Sequence, residues 1–389
     1  MPRTRNDAFA ARAAAHASRR VRARLARASR AACLVAGLAC LCLARSAAPA
    51  DAPLPPEKVR AIESLISIEM SRHHIPGLAL AVVTGSQVRL VNAHGIADLE
   101  NFVPVRADTV FRLASLSKPI TAVAVMQLVE RGQVDLDAPI QKYVPTYPPK
   151  PWPITVRQLL CQQSGIRHHT DAEWTNNRHY TTLADSLQVF ADSPLAFEPG
   201  TKTLYSSYGY TLLGNVVESV SGMSYTEYLR QNVFRPATME RTQVDDHFEL
   251  ISGRASGYFE DGAGRIRNSP LADTSNRIPG GGLCGTAADI GHFAAAFQSG
   301  TLVKPETVRE MLAKQRTRDG KRTGYGLGWI VSEKHVRLEA WCTGAQPQVS
   351  ACLFLRPDGQ IAVAILTNLE GVSDALTDLA RHIADTVQR

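Results

Sequence analysis

No stretch of the chain is apolar for the roughly 20 residues that a membrane-spanning helix needs; the leading candidate, residues 31–44, stops at about 14. A Gly-x-Ser-x-Gly elbow is missing, which excludes the nucleophile turn of an α/β-hydrolase. The sequence has neither His-Glu-x-x-His nor His-x-His spacing and no Cys-x-x-Cys pair, so a metal reading rests weakly on His168-His169 with scattered acids. Basic clusters are missing from the body as well. The formal charge is +7, but residues 1–50 hold ten Arg against the single Asp7, a balance of +9, which leaves −2 for the rest. A near-neutral body carries no electrostatic footprint for nucleic acid. Beyond residue 50 there is no internal repeat and no low-complexity segment.

The N-terminus has a basic region, the short apolar run and then small residues at 46–50, the three parts of an export signal. The expected location is therefore periplasmic or secreted. Membrane contact is expected only through this segment if it stays uncleaved, and an organelle transit peptide, here mitochondrial, is the alternative reading. Ser18-Arg-Arg-Val21 leaves room for twin-arginine export. Residues 51–56 read as a linker and 57–389 as the folded domain. Four cysteines fall in that domain, Cys161, Cys284, Cys342 and Cys352, without metal spacing. Buried thiols are the expectation, and Cys342/Cys352 is the pair to test for a disulfide.

Val59, Ile62, Leu65, Ile66 and Met70 recur at helical spacing until Pro76-Gly77. Two β-rich runs, 78–84 and 88–93, flank a turn at Gly85. The far end mirrors this, with runs 350–355 and 361–366 around Pro357-Asp-Gly359, then an amphipathic helix over 373–387. Between the ends, residues from about 110 to 320 read as mostly helical, with a capping box at Ser224/Glu227 and a glycine run, Pro279-Gly-Gly-Gly282, that demands unusual angles or close backbone approach. The expected class is α+β: one antiparallel sheet built from both termini, flanked by the terminal helices, with a large helical insertion and the site in the seam.

Three segments carry chemistry. Ser115 opens a strongly apolar helix whose Pro119 is tolerable only in the first turn, and Lys118 follows three residues later on the same face. A serine there is stabilised as it develops charge, and a buried, neutral lysine one turn away can take its proton. Ser-x-x-Lys alone recurs about once by chance in a chain this size, the bland alternative being a capping serine with a solvated lysine. Tyr205 and Ser207 precede a second helix; a tyrosine hydroxyl beside Lys118 relays a proton, and Ser207 holds a substrate amide or the lysine. Cys342-Thr343-Gly344-Ala345 precedes the C-terminal hairpin as an edge strand whose glycine admits substrate backbone, with the Ala345 N–H as second oxyanion donor.

The order of these segments resembles the serine β-lactamase-like proteins, a family that includes class C β-lactamases, D-aminopeptidases, esterases and a mitochondrial member. The resemblance covers about residues 57–387. It rests on the Ser115/Lys118 segment, Thr155-Val-Arg-Gln-Leu-Leu160 with Ser164-Gly165, Phe197-Glu-Pro-Gly200, Tyr205-Ser-Ser207, Pro279-Gly-Gly-Gly-Leu283 and Tyr325-Gly-Leu-Gly-Trp329. It implies Ser115 as nucleophile, Lys118 as general base and Tyr205 as partner in proton transfer, with no metal or organic cofactor. It is nearest in flavour to the mitochondrial member and its bacterial relatives. One departure matters: the family's third motif begins with Lys or His, and here Cys342 stands there. A thiol neither binds a carboxylate well nor tunes Lys118, unless Arg167, His168 or His169 replaces the charge.

The expected function is therefore a serine hydrolase, of esterase or peptidase type, that cleaves an amide or ester of a small-molecule or peptide substrate through an acyl-enzyme. The alternative is a weakened relative that keeps the fold for binding or scaffolding. Specificity is expected in the loops 167–195 and 240–275.

Overall fold

The structure, a computed structural model, describes residues 53–334 and 337–389. The expected signal segment, residues 1–50, lies outside the described residues. The first helix, α1, runs over Pro56–Arg72, and its Pro at the first turn lacks only an N–H that no helix uses there. Its buried Ile62 and Ile66 face the sheet. Two long strands follow, β1 (Gly77–Thr84) and β2 (Gln87–Asp98), with a short β3 (Val103–Pro104). The C-terminal part supplies β4 (Ile330–Lys334), β5 (Arg337–Gln346), β6 (Val349–Arg356) and β7 (Ile361–Thr367), then the last helix, α5 (Ser373–Gln388). These strands form one antiparallel sheet in the order β3-β2-β1-β7-β6-β5-β4, so the two ends of the chain pair at β1 and β7.

The period of two along each strand decides what packs where. Leu78, Leu80 and Val82 of β1 and Val363 and Ile365 of β7 face α1 and α5, where Leu376, Leu379 and Ile383 meet them. Each such side chain stabilises the fold by about 1.5–3 kcal/mol when fully buried. The opposite face offers Ala79, Ala81, Ala362 and Ala364, and these small residues let the middle of the chain pack close. Helix α4 (Ala287–Gln298) comes so near that a methyl on Gly291 would stand 3.0 Å from the Ala81 side chain.

The middle holds α2 (Ser117–Glu130), buried on almost every side, and α3 (Ser207–Ser221). It is less helical than the sequence implies. Strands of two or three residues, Phe111–Arg112, Leu283–Gly285 and Gln243–Val244, form a second small sheet, and Tyr258–Glu260 pairs with Ile266–Asn268. Segments that short carry no readable alternation. At Ser224 only half the predicted capping box forms: its hydroxyl takes the Glu227 N–H at 3.2 Å, while the Glu227 carboxylate pairs with Arg230.

The cysteines are as expected, and the register answers the question left open at Cys342/Cys352. All four described cysteines are free and buried. On β5 and β6, Cys342 stands opposite Leu353 and Cys352 opposite Thr343. The two thiols are thus offset by one residue and lie on opposite faces of the sheet, Cys342 toward the middle of the chain and Cys352 toward α5, where it meets Thr377 at 3.7 Å. Alkylation in denaturant without reductant, followed by peptide mapping, should find both as free thiols. A linked Cys342–Cys352 peptide would contradict this register.

Candidate functional site

Ser115 sits in a 3-10 turn, Ala114–Leu116, that runs directly into α2, so the nucleophile candidate lies two residues before the α-helix and not in its first turn. Ala114 takes φ +47°, a left-handed conformation that costs a residue with a side chain about 1–2 kcal/mol. Neighbouring bonds hold it there: the Leu113 N–H donates to Leu283 O at 2.8 Å, and Ser117 Oγ donates to Ala114 O at 2.8 Å.

Lys118, only 2% exposed, points back into this turn. Its Nζ lies 3.0 Å from Ser115 Oγ, 3.0 Å from Ser207 Oγ and 2.5 Å from Gly280 O. Tyr205 Oη reaches the same Ser115 Oγ at 2.6 Å. Burial pulls the Lys118 ammonium down to about 7, against an opposing pull from Cys342 and with help from the Arg277 charge. Burial likewise pushes the Tyr205 phenol well above its ordinary range, so it keeps its proton. A neutral amine has two N–H groups and one lone pair. Nζ reaches Gly280 O, Ser207 Oγ and Ser115 Oγ, and Tyr205 Oη donates to Ser115 Oγ; a neutral lysine that gave its two N–H groups to Gly280 O and Ser207 Oγ would keep its lone pair for the Ser115 hydroxyl. Of the two roles read for Ser207, the structure displays the contact with the lysine.

The glycine run explains how these segments come together. A methyl on Gly280 would stand 2.6 Å from Ser207 O, so only glycine allows this backbone to lie against the start of α3 and aim its carbonyl at Lys118. None of the three glycines has a positive φ; close approach, not an unusual angle, is what they supply.

The end of β5 completes the seam. Thr343 and Ala345 line a cavity of about 350 Å³ together with Ser115, Tyr205 and Ser207. The strand is not an edge along its whole length. It pairs with β4 from Arg337 to Trp341, so only Cys342–Gln346 is open on that side. Gly344 does not make room for substrate either: a methyl there would stand 2.6 Å from Leu113 O and 3.2 Å from the Ala114 side chain, so the glycine seats the strand on the nucleophile's turn. Cys342 lies behind the turn, its Sγ 3.1 Å from Ser115 O, bordering a small void beneath the main cavity. Burial pushes its thiol up to about 12, which leaves it uncharged.

The three proposed replacements for the missing cation are placed plainly. Arg167 is held by Glu173 at 2.8 and 2.9 Å and by Val189 O at 2.7 Å. His168 and His169 both border the cavity, and burial lowers them to about 3 and 4, so neither is charged near neutrality. Their rings lie with centroids 3.6 Å apart, tilted by 49°, and the Ser207 N–H donates to His168 Nδ1 at 3.3 Å. Metal-type side chains gather elsewhere, where His179, Asp246 and His247 bring donor atoms within 4.8 Å of one another. Of the two expected specificity loops, 167–195 contributes His168, His169 and Trp174 to the cavity wall, whereas 240–275 contributes no lining residue among those described. Arg277 and Gln346 also line the cavity, and sequence reasoning missed both.

Known proteins resemble this chain in sequence and in fold. Residues 62–388 match the family model described as Beta-lactamase. The chain belongs to the β-lactamase family. It is 28% identical to the human mitochondrial serine β-lactamase-like protein LACTB over 67% of this chain and 63% of that one. The chain therefore spans just under two thirds of the length of the curated mitochondrial relatives it matches. Among solved structures, the octameric penicillin-binding protein homologue of Pyrococcus abyssi superposes with a TM-score of 0.70 at 26% identity, covering 80% of this chain and 73% of that one. The D-amino acid amidase of Ochrobactrum anthropi, at 23% identity, shares the fold with a TM-score of 0.73 over 85% and 99%. The α+β architecture is that of this family, whose members include serine hydrolases.

Proposed function

We propose that this protein is a serine hydrolase that cleaves an amide or ester through an acyl-enzyme on Ser115. The observation that carries the reading is the unbroken chain of contacts Tyr205 Oη to Ser115 Oγ to Lys118 Nζ, with the lysine buried. Ser115 Oγ attacks the substrate carbonyl and gives its proton to the neutral Lys118. The carbonyl oxygen becomes an oxyanion at the Ser115 and Ala345 backbone N–H groups. When the tetrahedral intermediate collapses, the Tyr205 hydroxyl protonates the departing nitrogen or oxygen and is refilled from the Lys118 ammonium. Water then attacks the ester on Ser115, loses a proton to the same network and releases the acid, and Ser115 regains its hydrogen.

Export by the N-terminal segment would set this chemistry in a periplasmic or extracellular setting. Cys342, where the family has a cation, is the one observation that favours the second reading, a binding or scaffolding protein without useful turnover. Intact-mass spectrometry after treatment with a fluorophosphonate separates the two. The expected result is one phosphonyl adduct that maps to Ser115 and is lost in Ser115→Ala. An unmodified protein would move the conclusion to the non-catalytic reading.

A further inference from the structure

We infer that Arg277 and Gln346 form an anion subsite beside the nucleophile, and that the substrate of this hydrolase carries a free carboxylate seated there. The inference deepens the hydrolase reading and rests on it for the word substrate. The argument begins with a charge that has no partner. Arg277 is 2% exposed, and among the described residues no carboxylate lies within ion-pair distance of its guanidinium. Its bonds go to neutral acceptors: Asn276 Oδ1 at 2.9 Å and the carbonyls of Glu173 and Trp174, both at a long 3.4 Å. Asp273 and Glu173 act on it only at longer range. A guanidinium buried without a counter-ion is costly, and such cations are normally paired or serve a ligand.

A second, independent observation belongs to the lining of the same cavity. Gln346, at the end of β5, is buried, and its Nε2 has no hydrogen-bond partner. An unpaired buried donor costs about 1–3 kcal/mol. Arg277 and Gln346 both border the cavity where Ser115 opens, the arginine with donors only and the glutamine with an amide whose Nε2 is unpaired. A planar carboxylate accepts from a planar guanidinium and an amide together and would satisfy both. The competing cations are accounted for, since Arg167 is neutralised by Glu173 and both histidines are uncharged. Arg277 itself is lowered only to about 10 by burial and stays positive. The role lost at Cys342 is therefore met by residues that line the cavity itself.

The test compares two chromogenic esters on the full protein, p-nitrophenyl butyrate and p-nitrophenyl hydrogen glutarate, which differ by a terminal carboxylate. The readout is the ratio of kcat/KM for the acidic ester to that for the neutral one. Arg277→Gln should lower this ratio about 30-fold or more, Gln346→Leu about tenfold, and Arg277→Lys less than Arg277→Gln. Equal losses on both esters would overturn the subsite, because Arg277 would then act only by holding the fold or tuning Lys118. Gln346→Leu carries the same test should the arginine variants fail to fold.

Binding without turnover keeps this separate from the hydrolase reading. Calorimetry of glutaric acid monoanilide on Ser115→Ala should show binding that is lost at least tenfold when Arg277→Gln is added. Binding that survives Arg277→Gln would overturn the subsite even in a working hydrolase. Binding that disappears with it would support the subsite even where no ester is cleaved. Inorganic phosphate that displaces the anilide at lower concentration than glutarate does would overturn the carboxylate assignment.

Discussion

Lys118→Met should lower kcat/KM for a chromogenic ester by about 10³- to 10⁴-fold, the upper range for one group acting as general base. Methionine has nearly the same length, so it fills the space among Ser115, Ser207 and Gly280 and removes only the amine. The pH profile makes the prediction specific. Burial holds the folded-state ammonium at about 7, below the ordinary lysine value of 10.5, and only the neutral amine accepts the Ser115 proton. kcat/KM should therefore rise with pH through about 7 and level off above it, and this limb should vanish from the residual activity of Lys118→Met. The same shift bears on stability with a definite sign. Between about 7 and 10.5 the unfolded chain holds a proton on Lys118 that the folded chain does not, so this group's contribution to stability improves as pH rises across that window. Below about 7 both states are protonated and the penalty is constant. A variant that kept more than a tenth of the wild-type rate, or kept the acid limb, would remove Lys118 from the proposed chemistry.

The parts of this molecule legible in its sequence are those governed by local rules. Ile62 and Ile66 in α1, and the alternation of Leu78, Leu80 and Val82 with Ala79, Ala81 and Val83, each report their own surroundings within a few residues. The same holds for Ser115 and Lys118, which one helical turn places on a common face. The contact of Tyr205 with Ser115 spans 90 residues, and only the order of several segments, taken as a family resemblance, pointed to it. What was not legible depends on the fold. Whether Cys342 meets Cys352 was open in the sequence, because the turn's length sets the register and a shift of one residue sends a side chain to the other face. Gly344 read as an opening for substrate because spacing does not reveal what a strand packs against. Arg277 was invisible for a related reason. An arginine in sequence is presumed solvated or paired, and only the fold displays a buried guanidinium that no carboxylate meets.

Gly344→Ala should lower kcat about 10²-fold although the residue contributes no side chain to the cavity. The added methyl would stand 2.6 Å from Leu113 O, 3.1 Å from the Ala351 side chain and 3.2 Å from the Ala114 side chain. None of these neighbours can swing aside. Leu113 is tied by its N–H to Leu283 O, Ala351 is the cross-strand partner of Gly344 itself, and Ala114 holds the left-handed conformation that presents Ser115. Relief must come from the strand moving away from the turn, which carries Ala345 and Thr343 away from Ser115. A displacement approaching 1 Å at reacting groups costs about two orders of magnitude in rate, and overpacking of this kind costs about 1–3 kcal/mol in stability. The rate of Ser115 phosphonylation should fall along with kcat, because the strand supplies a proposed oxyanion donor to both reactions. Gly262→Ala is the control, since a methyl there meets nothing within 4 Å and should change neither rate nor melting temperature. If Gly344→Ala were destabilised yet labelled at the wild-type rate, the end of β5 would be a wall of the cavity and no part of the machinery that stabilises charge at Ser115.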